Sequence, residues 1–223
     1  MAAPAETTRP TRRDATREAI LEAALRCFGR DGFRRTALDR VAREAGISRA
    51  ALYLHFANKE ELFRALVEDL HARSLEDAIA ASRADAPAVE RLTGAICAKT
   101  ARFFDLLRSS EHAQEFLDEN HRLCGSISAA FALRHARLLA RILASADAAG
   151  ELSLAAAGVS AAQIAELLLD TAEGIKTRNL SVLSSAAYRK RLGDAVRLVL
   201  AGLVAPPQRR RASAARATPR GTR

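Results

Sequence analysis

Apolar residues recur at helical spacing along nearly the whole chain. Ile20, Ala24, Cys27 and Phe28 share one face of a helix read at 13–31, and Leu62, Leu66 and Leu70 form one stripe of another at 59–81. Such a period turns one face of each segment toward a core. Strand-like alternation is missing, and the one Asp-Gly pair, Asp31-Gly32, follows a helical stretch. Gly32 therefore reads as a helix C-cap and not as a hairpin turn. Alanine, the best helix former, accounts for 50 of the 223 residues, while aromatics make up 4% and Trp is absent. The expected fold is all-α, with a core of Leu, Ala, Val and Ile.

The same periodicity places further helices at about 38–45, 49–55, 87–108, 111–119, 125–148, 161–178 and 185–204. Pro87 is tolerated in a first turn, and loops are expected near 150–160 and 179–185. Past Pro206-Pro207 the chain is Arg, Ala, Ser, Thr, Pro and Gly with no apolar face, so residues 206–223 are expected to be a disordered tail. A basic arm at 1–12 is expected to be disordered as well.

Several classes of protein are set aside by composition. No run of about 18 uncharged apolar residues exists, so no membrane-spanning helix is expected. Met1 to Arg17 has no apolar centre of the secretory kind. Cys27, Cys97 and Cys124 lack paired spacing and fit reduced thiols of a cytoplasmic protein. Neither glycine-rich phosphate loop is present, and no nucleophile–base pairing points to an enzyme. No cofactor is expected.

The formal charge of +9 is unevenly placed. Residues 9–64 carry 13 basic and 8 acidic groups, residues 65–205 carry 16 and 17, and the tail from 206 carries six Arg and no acid. A basic end of this kind suggests a polyanionic partner. The 31 Arg against 4 Lys also fit a compositional bias toward Ala and Arg, so charge alone does not decide the matter.

The segment from Thr36 to Phe63 reads as helix, tight turn, helix. Thr36 is expected to cap the first short helix, whose inner face is Leu38, Val41, Ala42 and Ala45. Gly46 sits where the chain must reverse, Ile47 plugs the turn, Ser48 caps the second helix, and Leu52 and Phe56 pack it down. Arg49, Ala50, Tyr53 and His55 are left to project from a short, pinned helix. A DNA major groove accepts such a helix, and Arg49 suits the O6 and N7 of guanine. Thr36, Ser48, Tyr53 and Lys59 are expected where phosphates pass, Lys59 beside the N-terminus of the next helix.

These residues resemble a known domain. Ala-Gly-Ile-Ser-Arg-Ala-Ala-Leu-Tyr-Leu-His-Phe-Ala-Asn-Lys-Glu-Glu-Leu-Phe, ending at Phe63, resembles the DNA-binding domain of the TetR family of bacterial transcription regulators. So does Ala-Ile-Leu-Glu-Ala-Ala-Leu-Arg-Cys-Phe-Gly-Arg-Asp-Gly-Phe, ending at Phe33, with Thr36 after it. The resemblance covers about residues 13–73, and Leu54 and Ala57 fall at positions that vary freely. It implies about nine helices, a homodimer, a palindromic operator, and usually repression until a small molecule binds. The larger part, 74–205, would then be a ligand-binding and dimerising domain.

In that larger part the residues speak more faintly. The helix at 161–178 has two apolar stripes: Ala161, Ala165, Leu168, Ala172 and Ile175, and Ile164, Leu167 and Thr171 ending at Gly174. The helix at 185–204 has Tyr188, Leu192, Ala195, Val199 and Leu203, with Val196, Leu198 and Leu200 beside them. Helices apolar on two sides suit packing on a partner chain as well as on their own bundle. His112, Glu115 and Glu119 fall on one face and read as a solvated surface near a hinge, with metal ligation the lesser alternative. Phe103, Phe104, Leu107, Phe116 and Phe131 are candidates to line a pocket for an unidentified, mostly apolar effector. The expected function is a cytoplasmic, homodimeric DNA-binding regulator. The alternative is a non-specific DNA-binding protein driven by its Arg-rich tail.

Overall fold

The computed structural model describes residues 11–179 and 182–203. Among these residues there are nine helices: α1 Arg12–Asp31, α2 Leu38–Glu44, α3 Arg49–Tyr53, α4 Lys59–Ser82, α5 Ala88–Arg108, α6 Ala113–Ala148, α7 Leu154–Ala157, α8 Ala161–Asn179 and α9 Ser185–Ala201. None is long and apolar enough to cross a membrane. The tail from 206 and the first ten residues of the expected arm lie outside the described residues. The arm's last two residues are ordered: Thr11 and Asp14 cap each other reciprocally, and Arg12 opens α1.

Local chemistry sets most helix ends. Gly32 closes α1 at φ 81° and donates its N–H to the Phe28 carbonyl. Ser48 caps α3 by accepting from Ala51 N at 3.1 Å, and Asn58 caps α4 by accepting from Glu61 N at 2.8 Å. Pro87 stands at the N-cap of α5, one residue ahead of the expected first turn.

Two expectations are corrected. The segments expected at 111–119 and 125–148 are one helix, α6, of 36 residues. Gly125 is exposed, keeps a negative φ, and weakens a helix by only about 1 kcal/mol relative to Ala. The buried series Phe116, Glu119, Cys124 and Phe131 carries the helix through. The loop expected at 150–160 holds the short turn α7, which buries Leu154.

Two apolar cores share the molecule. One is built from Ile20, Phe28, Val41, Leu52, Leu62 and Phe63 with their neighbours. The other gathers α5, α6, α8 and α9 around Leu92, Leu139, Leu168 and Tyr188. Helix α4 serves both, the first down to Leu70 and the second from Ala78. The first core also takes Leu107, Phe116 and Cys124 from α5 and α6, so it is not confined to residues 13–73.

Candidate nucleic-acid interface and inner cavity

Helices α2 and α3 form the helix-turn-helix. Val41, Ala42, Leu52 and Phe56 are buried, and Gly46 turns the chain at φ 69°. With its inner side pinned, α3 presents Arg49, Ala50 and Tyr53 to solvent, and His55 follows half-buried. Ser48 is exposed too, but its hydroxyl is engaged as the cap of α3.

Arg49 is held before any DNA arrives. Its Nη1 lies 3.0 Å from Asp39 Oδ2, and its guanidinium lies 5.5 Å from the Tyr53 ring centroid. Tyr53 and the Asp39 carboxylate push its pKa up from the ordinary value. Asp39 escaped the sequence reading because nothing in its own segment marks it. Leu54 was passed over as variable, yet it is 80% exposed at the end of α3, an apolar side chain of the kind that meets a thymine methyl.

Thr36 and Lys59 have other work than expected. Thr36 is buried and is not the cap of α2, a position held by Ala37 without a side-chain bond. Its hydroxyl donates to Gly32 O at 2.6 Å, fixing the turn after α1. Lys59 Nζ donates to Phe33 O at 2.7 Å and Arg34 O at 3.0 Å, and sits 4.6 Å from the Phe33 ring centroid. Burial lowers its pKa, opposed by Glu115, Glu119 and Glu60. The N-terminus of α4 already has its anions: Glu60 and Glu61 lie in the first turn, and Glu61 Oε2 accepts from Ala57 N at 2.8 Å.

The polar cluster at the start of α6 is not a solvated face. Glu115 Oε1 accepts from Arg34 N at 2.6 Å, His112 Nε2 lies 2.9 Å from Arg35 Nη2, and Ser110 Oγ donates to Gly29 O at 2.8 Å. Glu119 is buried, accepting from Arg122 Nε at 2.8 Å with Arg34 Nε 3.7 Å away. These bonds fasten the larger bundle to the turn that follows α1. Among the described residues no three His, Cys, Asp or Glu side chains gather as a metal site.

Behind this junction lies a cavity of about 470 Å³, walled by α4, α5, α6 and α8. Phe103, Leu107 and Phe116 line it. Phe104 does not: it stacks on Tyr188 in the second core, centroids 4.1 Å apart. Phe131 stands one layer back, stacked on the cavity's His71 at 5.2 Å. The wall also holds Lys99, Lys176 and Glu173, charged residues that no single helix's periodicity brings together. Cys97 lines a different, open groove, and burial raises the pKa of all three thiols, that of Cys124 to about 11. Burial thus disfavours the thiolate, the reactive form, at each of them.

Residues 20–66 match the family model described as "Bacterial regulatory proteins, tetR family". The chain is 50% identical over 56 residues to the HTH-type transcriptional regulator TtgR of Pseudomonas putida, a match covering 25% of this chain and 27% of that protein. It is 36% identical over 103 residues to the HTH-type transcriptional regulator BetI of Rhizobium meliloti, covering 46% and 45%. The matches thus span less than half of these curated relatives. SmeT, the repressor of the Stenotrophomonas maltophilia multidrug efflux pump SmeDEF, superposes with a TM-score of 0.61 at 26% identity, over 87% of this chain and 93% of that one. Residues 20–66 thus form a helix-turn-helix domain of the kind found in the tetR family of bacterial regulatory proteins.

Proposed function

We propose that this protein is a ligand-responsive transcriptional repressor, binding a palindromic operator in the bacterial cytoplasm as a homodimer. The observation that carries the reading is α3: five residues, capped by Ser48, pinned by Leu52, and offering Arg49, Ala50, Tyr53 and Leu54 outward. In this reading Arg49 exchanges Asp39 for guanine, and Leu54 and Ala50 meet thymine methyls. Ser48, Tyr53 and His55 flank the groove near phosphates, with Arg43 exposed beside them on α2.

The apolar faces left on α8 and α9 support the dimer. Ile164, Ala165, Leu168 and Ala172 turn inward, while Leu167 is 49% exposed; on α9, Leu192 and Val196 turn inward while Leu198 is 76% exposed. Two such helix pairs related by a two-fold axis would bury these side chains.

Repression relieved by a ligand is supported by the cavity's position. Phe116, Leu117 and Asp118 line it, and the neighbouring Glu115 holds Arg34 N. A ligand that shifts this turn of α6 shifts the helix-turn-helix with it, altering the spacing of two recognition helices.

The test is to select operator DNA from a random pool and titrate it and scrambled DNA with wild type, Arg49→Ala and the pair Leu167→Glu, Leu198→Glu. Arg49→Ala is expected to lose discrimination, and the double variant to show half the wild-type mass by light scattering and weak operator binding. A wild type that selects no sequence, but binds all DNA through its tail, would support the non-specific alternative.

A further inference from the structure

The cavity wall carries two ammoniums, Lys99 and Lys176, and two carboxylates, Glu173 and the exposed Asp118, but they do not all pair with one another. Lys176 Nζ pairs with Glu173 Oε2 at 2.8 Å, and Asp118 Oδ1 accepts from Gln114 Nε2 at 2.9 Å. Lys99 faces the same space and enters no ion pair among the described residues. Burial lowers its pKa, with Glu173 opposing and Lys176 adding to the shift. His71, 9% exposed, also lines the cavity; its Nε2 lies 3.2 Å from Ser128 Oγ, and its Nδ1 is buried without a partner. A half-buried ammonium without a counter-ion costs free energy until something answers it.

We propose that the cavity takes an organic acid, its carboxylate against Lys99 and its apolar body against Phe103, Leu107 and Phe116. The proposal rests on the reading of this cavity as the effector site. A single unpaired ammonium matches a monoanion. Phosphate groups call for more donors, and among the described residues no arginine lines the cavity. The volume of about 470 Å³ suits a molecule with an aromatic ring and a short chain. His71 stands in the same wall in its neutral form, its pKa pushed down to about 4.

The test uses the full chain and four probes: 4-phenylbutanoate, octanoate, 4-phenylbutanamide and 4-phenylbutylamine. Calorimetric titration and thermal melting are expected to show binding of the two acids, with the amide and the amine far weaker. Lys99→Met is expected to fold at least as stably as wild type, since it removes a half-buried unpaired charge, and to bind the acids about tenfold or more weakly. Amide or amine binding equal to that of the acids, no acid binding at all, or full acid affinity in Lys99→Met would each overturn the proposal. The wild-type panel decides the matter even if the variant does not fold. Operator affinity measured alongside separates the two claims. Acids that bind through Lys99 without releasing DNA uphold the site and remove the switch. An amide that releases DNA better than the acids upholds the switch and removes the acid.

Discussion

The ring of Phe116 lies 5.0 Å, centroid to centroid, from that of Phe63. Phe63 is fully buried among Phe28 and Phe33 in the core of the DNA-binding domain, whereas Phe116 also forms part of the cavity wall. One side chain thus touches both the cavity and the core that seats α3. Phe116→Ala is expected to lower unfolding free energy by about 3–5 kcal/mol, as for other buried Phe truncations. Phe116→Leu should cost about 1 kcal/mol and keep the fold. In that variant a ligand should still bind but release operator less effectively, which anisotropy titrations with and without the ligand will measure.

Gly32 combines a left-handed φ of 81° with a close neighbour: a Cβ there would collide with Glu115 Oε2. Gly32→Ala should cost about 1–3 kcal/mol from backbone strain and the displaced carboxylate together. Glu115→Ala removes the acceptor for Arg34 N and should cost about 1–3 kcal/mol by itself. Because the two share a contact, urea denaturation of the double variant should show less than the sum of the single losses.

Lys59 and Arg49 should part company in DNA-binding experiments. Lys59→Met removes two bonds to backbone carbonyls and is expected to lower stability by about 1–3 kcal/mol. It should leave the salt dependence of DNA binding unchanged. Arg49→Ala, at an exposed site, should leave the melting temperature nearly unchanged but weaken operator binding roughly 5- to 150-fold and relax its sequence preference. Titrations of operator and scrambled DNA over a range of salt concentrations check both.

Stability should fall in mild acid because of His71. Burial first, then Lys99, His135 and Lys176, push its pKa from 6.5 to about 4 in the fold. The unfolded chain therefore takes up a proton below pH 6.5 that the folded chain refuses until about pH 4. The stability is full above that window and is lost as pH falls through it, a difference on the order of 3 kcal/mol. His135, with its pKa also lowered by burial, acts in the same direction. Melting curves from pH 7.5 to 4 should show a shallower decline for His71→Gln than for wild type.

The helix ends could be read from sequence because their determinants are local. Gly32, Gly46 and Ser48 act on backbone within a few residues of themselves, and their caps and turns stand where expected. Thr36 misled for a related reason: its hydroxyl chose an acceptor behind it, Gly32 O, over a donor ahead. Lys59 was misread because its acceptors lie in the turn of Phe33 and Arg34, about 25 residues back. The cavity was legible only in its apolar part. Phe103, Leu107 and Phe116 announce themselves by hydrophobicity, but His71, Lys99 and Lys176 converge from three helices, a meeting that no periodicity encodes. The break expected near Gly125 shows the opposite error, a local signal outweighed by burial on either side of it.

Helix α4 runs unbroken from Lys59 to Ser82 and is buried in one core at its start and in the other toward its end. Its 24 residues span about 36 Å at 1.5 Å per residue. A rod converts angle into distance: His71, its residue on the cavity wall, stands about 18 Å from the start of the helix, so a tilt of about 10° there carries that start roughly 3 Å sideways, with no hydrogen bond in the helix broken. Groove spacing is sensitive to displacements of that size. The cavity therefore need not deform much to be felt at the DNA, and a small guest would act through leverage instead of bulk.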